Sequence, residues 1–159
     1  MSSISAITKT TFPTQHYFGK RIQMPISEYQ GNKNLFDKTY AELVKALSES
    51  GVKFEMPSVL YEKWDTQNNE VVCYIAYIVD QLVEIEGYKS ITVEETQALH
   101  GRLSGGMDKL MDLHTEIMSE GQKLGLDVFS KYTVEQYTSM DMSKDPSSWQ
   151  TDVYYLIKA

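Results

Sequence analysis

The sequence is short of cysteine, of long apolar runs and of basic charge, and each shortage excludes a class of protein. A lone cysteine, Cys73, cannot close an internal disulfide, which fits a reducing cytoplasm rather than a disulfide-stapled secreted fold. No stretch approaches the roughly 18 consecutive apolar residues of a membrane-spanning helix. The first fifteen residues are rich in Ser and Thr, carry only Lys9 as a charge and lack the apolar segment of a signal peptide. Fifteen Lys and Arg stand against 22 Asp and Glu, a formal charge of -7. Clustered cations able to neutralise phosphates or dock on an anionic membrane are therefore not expected. The three histidines, His16, His100 and His114, are scattered without metal-ligand spacing, so neither a metal nor another cofactor is expected. What remains is a 159-residue chain with 42% hydrophobic and 23% charged residues, the balance of a cytoplasmic globular domain. Its aromatics are unusual: 11 Tyr and 2 Trp against 5 Phe, so most rings keep a polar tip.

Two segments carry a helical period. Leu35, Phe36, Tyr40, Leu43, Val44 and Leu47 recur three and four apart between Gly31 and Gly51. Met107, Leu110, Met111, His114, Ile117 and Met118 do the same between Gly105 and Gly125. Glu-Ser-Gly and Lys-Leu-Gly endings suit a left-handed glycine at each helix C-terminus. Both glycine pairs are 74 residues apart, and at that offset Phe36 falls on Leu110, Tyr40 on His114, Leu43 on Ile117 and Val44 on Met118. That register marks an internal duplication.

The flanks repeat as well. Phe18, Lys20, Ile22, Met24 and Ile26 share a parity ahead of the first helix, with Pro25 near the strand's end. Ile91, Val93, Gln97 and Leu99 do likewise ahead of the second. Behind the first helix come Ser58–Trp64, a turn at Asp65–Asn69 and the apolar run Val71–Val79. Behind the second come Tyr132–Thr138, a longer connection through Ser148, and Thr151–Ile157. The expected fold is α+β: tandem strand–helix–strand–strand units forming a curved antiparallel sheet with two helices on one face. Residues 1–15 are expected as a lead-in and 16–159 as a single domain, with pseudo-repeats at about 16–80 and 88–159.

The chemistry concentrates on the strands. Strand alternation sets Thr133, Glu135 and Tyr137 on one face, and likewise Leu60, Glu62 and Trp64, with Val59 and Tyr61 on the other. A carboxylate among Tyr and Trp rings, on the sheet face away from the helices, would suit a lipophilic cation, since each desolvated ring face contributes about 0.5–2 kcal/mol to a cation. Glu135 or Glu62 taken alone reads as a solvated strand position. His114 on its apolar stripe reads as a core histidine with one satisfied nitrogen, and Cys73 as an inert buried thiol. The Gly101–Gly106 segment precedes a helix, as an anion site would, yet lacks Walker and GxGxxG spacing and reads as a turn. No GxSxG elbow is present.

The duplication, the glycine-bounded helices, Val-Glu-Gln-Tyr at 134–137 and Thr-Asp-Val-Tyr-Tyr-Leu-Ile at 151–157 resemble the GyrI-like small-molecule-binding family. That family is also the effector-binding domain of AraC-type bacterial transcription activators. The likeness runs from about His16 to the C-terminus, with Asp152 standing where the family has Glu. It implies that Glu135 is a pocket carboxylate and Tyr137 a pocket wall. Trp149, Tyr61 and Tyr77 are further candidate walls, and Glu62 and Trp64 a second cluster. With about fifteen residues ahead of the first strand and no DNA-binding module, a stand-alone form is implied.

The expected function is binding of a lipophilic, cationic or aromatic small molecule, without enzymatic activity. The alternative is a regulatory or inhibitory module for a protein partner, similar to gyrase inhibitors. A third is hydrolysis of strained-ring electrophiles, reported for some members of that family, although no second catalytic group is evident in the sequence. Nucleic acid and membrane are not expected partners. An edge strand or exposed helix side offers room for a homodimer, which nothing in the sequence demands.

Overall fold

The computed structural model describes residues 2–32, 34–126, 132–139 and 145–157. The chain is α+β, with antiparallel strands and helices in two compact units: Thr14–Glu94, and Met1–Pro13 together with Glu95–Ala159. Each unit holds one Gly-bounded helix, while Lys89–Val93, expected ahead of the second helix in its repeat, belongs to the unit Thr14–Glu94.

In the unit Thr14–Glu94, β3 (Gln15–Met24) pairs with both β5 (Glu70–Val79) and β6 (Lys89–Val93), and β5 also pairs with β4 (Phe54–Asp65). A short helix α1 (Ile26–Gly31), absent from the sequence pattern, follows β3, and α2 (Leu35–Ser50) packs against β3 and β5. In the other unit, β7 (Thr96–Ser104) pairs with β9 (Gln150–Leu156), and β9 with β8 (Thr133–Ser139). Helix α3 (Leu110–Lys123), entered through a 3-10 turn at Met107–Lys109, packs on β7 and β9. Residues 1–15, expected as a lead-in, contribute β1 (Ser3–Ile4) and β2 (Thr8–Phe12), both paired with β7. The connection expected before Ser148 falls partly on 140–144, outside the described residues.

The helix endings are as the sequence implies. Gly51, at φ 75°, caps α2, and Gly125, at φ 68°, follows α3; left-handed backbone there suits a residue without Cβ. The buried lines are Thr39, Leu43 and Leu47 in α2 and Leu113, Ile117 and Gly121 in α3, again 74 residues apart. That line is narrower than the expected stripe and turned away from its edge. Met111 is 60% and Val44 36% exposed, because the fully buried row runs i, i+4 and its flank toward the sheet is filled by Tyr40 and His114 instead.

Gly101–Ser104, expected as part of a turn, is the end of β7. Gly101 sits under α3, where an added Cβ would lie 2.6 Å from Leu113 Cδ1 and 2.7 Å from Ile7 Cδ1. The missing side chain lets α3 approach, and Leu99, Leu103, Val153, Tyr155 and Ile157 close the core beneath Leu113 and Ile117.

Candidate functional site

Strand period two places Val153 and Tyr155 on the α3 side of β9, and Asp152, Tyr154 and Leu156 on the other. Glu135 on β8 is the antiparallel partner of Val153, so its side chain shares the α3 side. That corrects the expectation of a carboxylate on the face away from the helices. The parity of β8 relative to β9 sets the face, and this pairing has no local signature in the sequence.

Glu135 is 3% exposed. Its Oε2 lies 2.6 Å from His114 Nε2, and Tyr137 donates its hydroxyl to Oε1 at 2.9 Å. A carboxylate only accepts, so Nε2 carries hydrogen toward it. The other imidazole nitrogen, Nδ1, lies 2.6 Å from the Tyr155 hydroxyl. His114 therefore has both nitrogens engaged, not one, and joins α3 to β8 and β9 in a chain Tyr155–His114–Glu135–Tyr137. Burial, and next to it the charge of Glu135, raise the pKa of the Tyr155 phenol, which stays neutral. The structure thus supplies a titratable partner for Glu135 that strand motifs alone do not reveal. One sequence signal pointed to it: Tyr40 holds the matching position of α2, where it donates to the Ser58 carbonyl at 2.8 Å. Both copies of the repeat send a polar tip from the helix to the first strand of the hairpin.

The other expected residues lie elsewhere. Trp149 is half-buried at the foot of β9, where its carbonyl accepts the Gly105 N–H at 2.8 Å. Tyr61, Glu62, Trp64 and Tyr77 belong to the unit Thr14–Glu94. A β-bulge between Tyr61 and Lys63 leaves Glu62 without a strand partner, and Cys73 and Val71 then face Tyr61 and Trp64. Tyr61 and Trp64 therefore share a face, contrary to the expected alternation, because the extra residue resets parity. Their ring centroids are 5.9 Å apart, and Tyr29 of α1 joins them, with a 2.7 Å hydroxyl contact to Tyr61. Glu62 is exposed. Tyr77 packs between Tyr40 and Phe54, with centroids at 5.2 and 5.0 Å, and burial raises its pKa. In this unit too the aromatic side is the helix side.

A second buried carboxylate escaped the sequence reading. Asp152, 2% exposed on the side of β9 away from α3, receives His100 Nε2 at 2.7 Å and Arg102 Nε at 2.9 Å on Oδ1. Its Oδ2 takes Arg102 Nη2 at 3.2 Å and the Thr138 hydroxyl. Burial opposes its ionisation, but the hydrogen bonds from His100, Arg102 and Thr138, with the Arg102 charge, hold it far below the usual carboxylate range. His100, Arg102 and Thr138 together make four hydrogen bonds to its two oxygens, enough to hold a buried carboxylate in place.

Among the described residues no group of three or more His, Cys, Asp and Glu is placed to hold a metal, and Cys73 is buried. Among the same residues no helix is long and apolar enough to cross a membrane.

No protein-family model matches the sequence, and no curated protein matches it. Solved structures do match its fold. The C-terminal domain of EcmrR superposes with a TM-score of 0.73 at 13% identity, covering 96% of this chain and 97% of that domain. EcmrR in a complex with DNA gives 0.76 at 15% identity, and here the chain spans 57% of EcmrR's length against 96% of its own. SAV2435 bound to tetraphenylphosphonium gives 0.70 at 14% identity over 98% of this chain and 95% of that one. A hydrolase from Listeria innocua gives 0.60 at 12% identity, over 96% and 91%. The fold implied by the GyrI-like resemblance is the fold these proteins share with this chain.

Proposed function

We propose that the chain binds a lipophilic, aromatic cation, with Glu135 as its charge partner. One observation carries this: a carboxylate 3% exposed, set among Tyr137, Tyr155 and His114 on the helix side of the sheet. A buried carboxylate costs several kcal/mol unless a positive group or a proton faces it. A ligand cation offsets that cost while a neutral isostere does not, so charge sets selectivity and ring area sets most of the affinity. SAV2435, seen with a cation of this class, supports the choice through its shared fold. Tyr137 and Trp149 are proposed as walls beside Glu135. Tyr61, Tyr77 and Trp64 are proposed as the aromatic set of the other unit, and Glu62 as its carboxylate, the weaker of the two because it is exposed at its bulge.

The test is a titration with tetraphenylphosphonium followed by tryptophan fluorescence. Glu135→Gln is expected to weaken binding about 10- to 100-fold, that is about 1.4–2.8 kcal/mol. Equal affinity in wild type and Glu135→Gln rules out charge pairing.

A second reading has an observation of its own. Glu135, His114 and the Tyr155 hydroxyl follow the order carboxylate–imidazole–hydroxyl found in hydrolytic triads. His114 is the second group that a general acid–base mechanism requires. Turnover of a strained-ring electrophile by wild type, lost in both Glu135→Gln and His114→Gln, would promote hydrolysis over simple binding. No turnover by wild type removes it.

A further inference from the structure

Resting on the assignment of Glu135 as the charge partner, we propose that His114 is the specificity-determining residue of the site. Its imidazole holds the Glu135 carboxylate as a resident cation, an incoming ligand cation must displace it, and the exchange releases one proton to solvent.

The geometry supports each part. Glu135 Oε2 is already taken, at 2.6 Å, by a ring nitrogen whose side chain is 13% exposed, against 4% for Glu135 itself. The imidazole is the more accessible of the two, so a ligand reaches the carboxylate by moving it. A carboxylate this deeply buried needs a positive partner, and the imidazole in contact with it supplies one when it carries its second proton. Tyr155 fits both states of the ring. Its hydroxyl oxygen accepts from Nδ1–H in the imidazolium, and its O–H donates to a bare Nδ1 in the neutral ring.

Among the described residues, the charged group in contact with His114 is Glu135. The α3 side of β7 presents Leu99, Gly101 and Leu103, and that of β9 presents Val153, Tyr155 and Ile157. Helix neighbours one turn away are Leu110, Met111, Ile117 and Met118. On β8 the groups are Glu135 and Tyr137. Proton and ligand cation thus compete for one carboxylate, and a neutral aromatic, unable to replace the imidazolium, is rejected.

The test is isothermal calorimetry of tetraphenylphosphonium binding in two buffers of different ionisation enthalpy, from about pH 5.5 to about pH 8.5. Wild type is expected to release close to one proton per ligand at the acid end. Its affinity should rise with pH by up to about tenfold per unit there and level off above. His114→Gln, which keeps a donor for Glu135 and has no titratable ring, should release none and bind with little pH dependence. Wild-type binding that is flat with pH and releases no proton overturns the proposal, and so does an unchanged pH slope in a folded His114→Gln. Should His114→Gln not fold, the wild-type proton count decides alone. Binding that Glu135→Gln weakens but that releases no proton sinks the role of His114 and leaves Glu135 standing. No binding by wild type, or equal binding by Glu135→Gln, sinks both.

Discussion

Replacing His100 and Arg102 together by leucine should cost the fold about 3–5 kcal/mol, and adding Asp152→Asn to that pair should return most of the loss. The asymmetry follows from where the charge sits. The Asp152 side chain is 3% exposed, whereas those of His100 and Arg102 are 21% and 42% exposed. Removing both of these hydrogen-bonding partners, and with them the Arg102 charge, strands an ionised carboxylate with only the Thr138 hydroxyl, while neutralising Asp152 removes the group that needed them. Acid provides an independent reading. The folded pKa of Asp152 lies below its ordinary 3.8, so its contribution is complete at pH values above that ordinary value and is lost as pH falls below it. Denaturant midpoints between about pH 7 and about pH 2 should therefore fall less steeply in Asp152→Asn than in wild type. A double leucine variant within about 1 kcal/mol of wild type would show that the network is a surface ornament of little energetic weight.

The second large effect is steric. Gly19→Ala should destabilise by about 3 kcal/mol or more, at the top of the overpacking range, and Gly101→Ala by a smaller amount within about 1–3 kcal/mol. Gly19 lies in β3 between two partner strands, opposite Ala76 on β5 and Lys89 on β6. A Cβ there would stand 2.5 Å from the Ile75 carbonyl oxygen, 2.7 Å from Ala76 Cβ and 3.0 Å from Ala76 Cα. These atoms are backbone or fixed to it, and they move only if the β3–β5 pairing opens. At Gly101 the obstructing atoms are the tips of Leu113 and Ile7, which can turn aside. Denaturation midpoints at constant m-value give the ranking. Equal losses, or a Gly19→Ala within about 0.5 kcal/mol of wild type, would mean that the central strands yield more readily than close-packed interiors do.

The folding effects sit in structural positions, and the functional ones in the Glu135 cluster. His114 belongs to both groups, since it binds the carboxylate and also fills a place on the core-facing side of α3. A substitution there should be read by proton release as well as by stability.

The sequence by itself determined the local elements and their repetition. Helical period, glycine at each helix end and apolar alternation are written in residues close together, because backbone preference and burial act over a few residues. The 74-residue register was legible because duplication copies side chains at fixed spacing, and the buried rows of α2 and α3 keep it. Glu135 and Tyr137 as neighbours on one strand face, two residues apart, were legible for the same reason. Only the tertiary structure decided which face that is. It turns on the pairing of Glu135 with Val153, and for Tyr61 and Trp64 on one unpaired residue at Glu62. One residue of strand register carries every side chain to the opposite side, and no local signal records it. The partners of Glu135 and Asp152 belong to the same category. His114 is 21 residues from the first and Arg102 is 50 from the second, brought there by packing and pairing that no spacing rule describes.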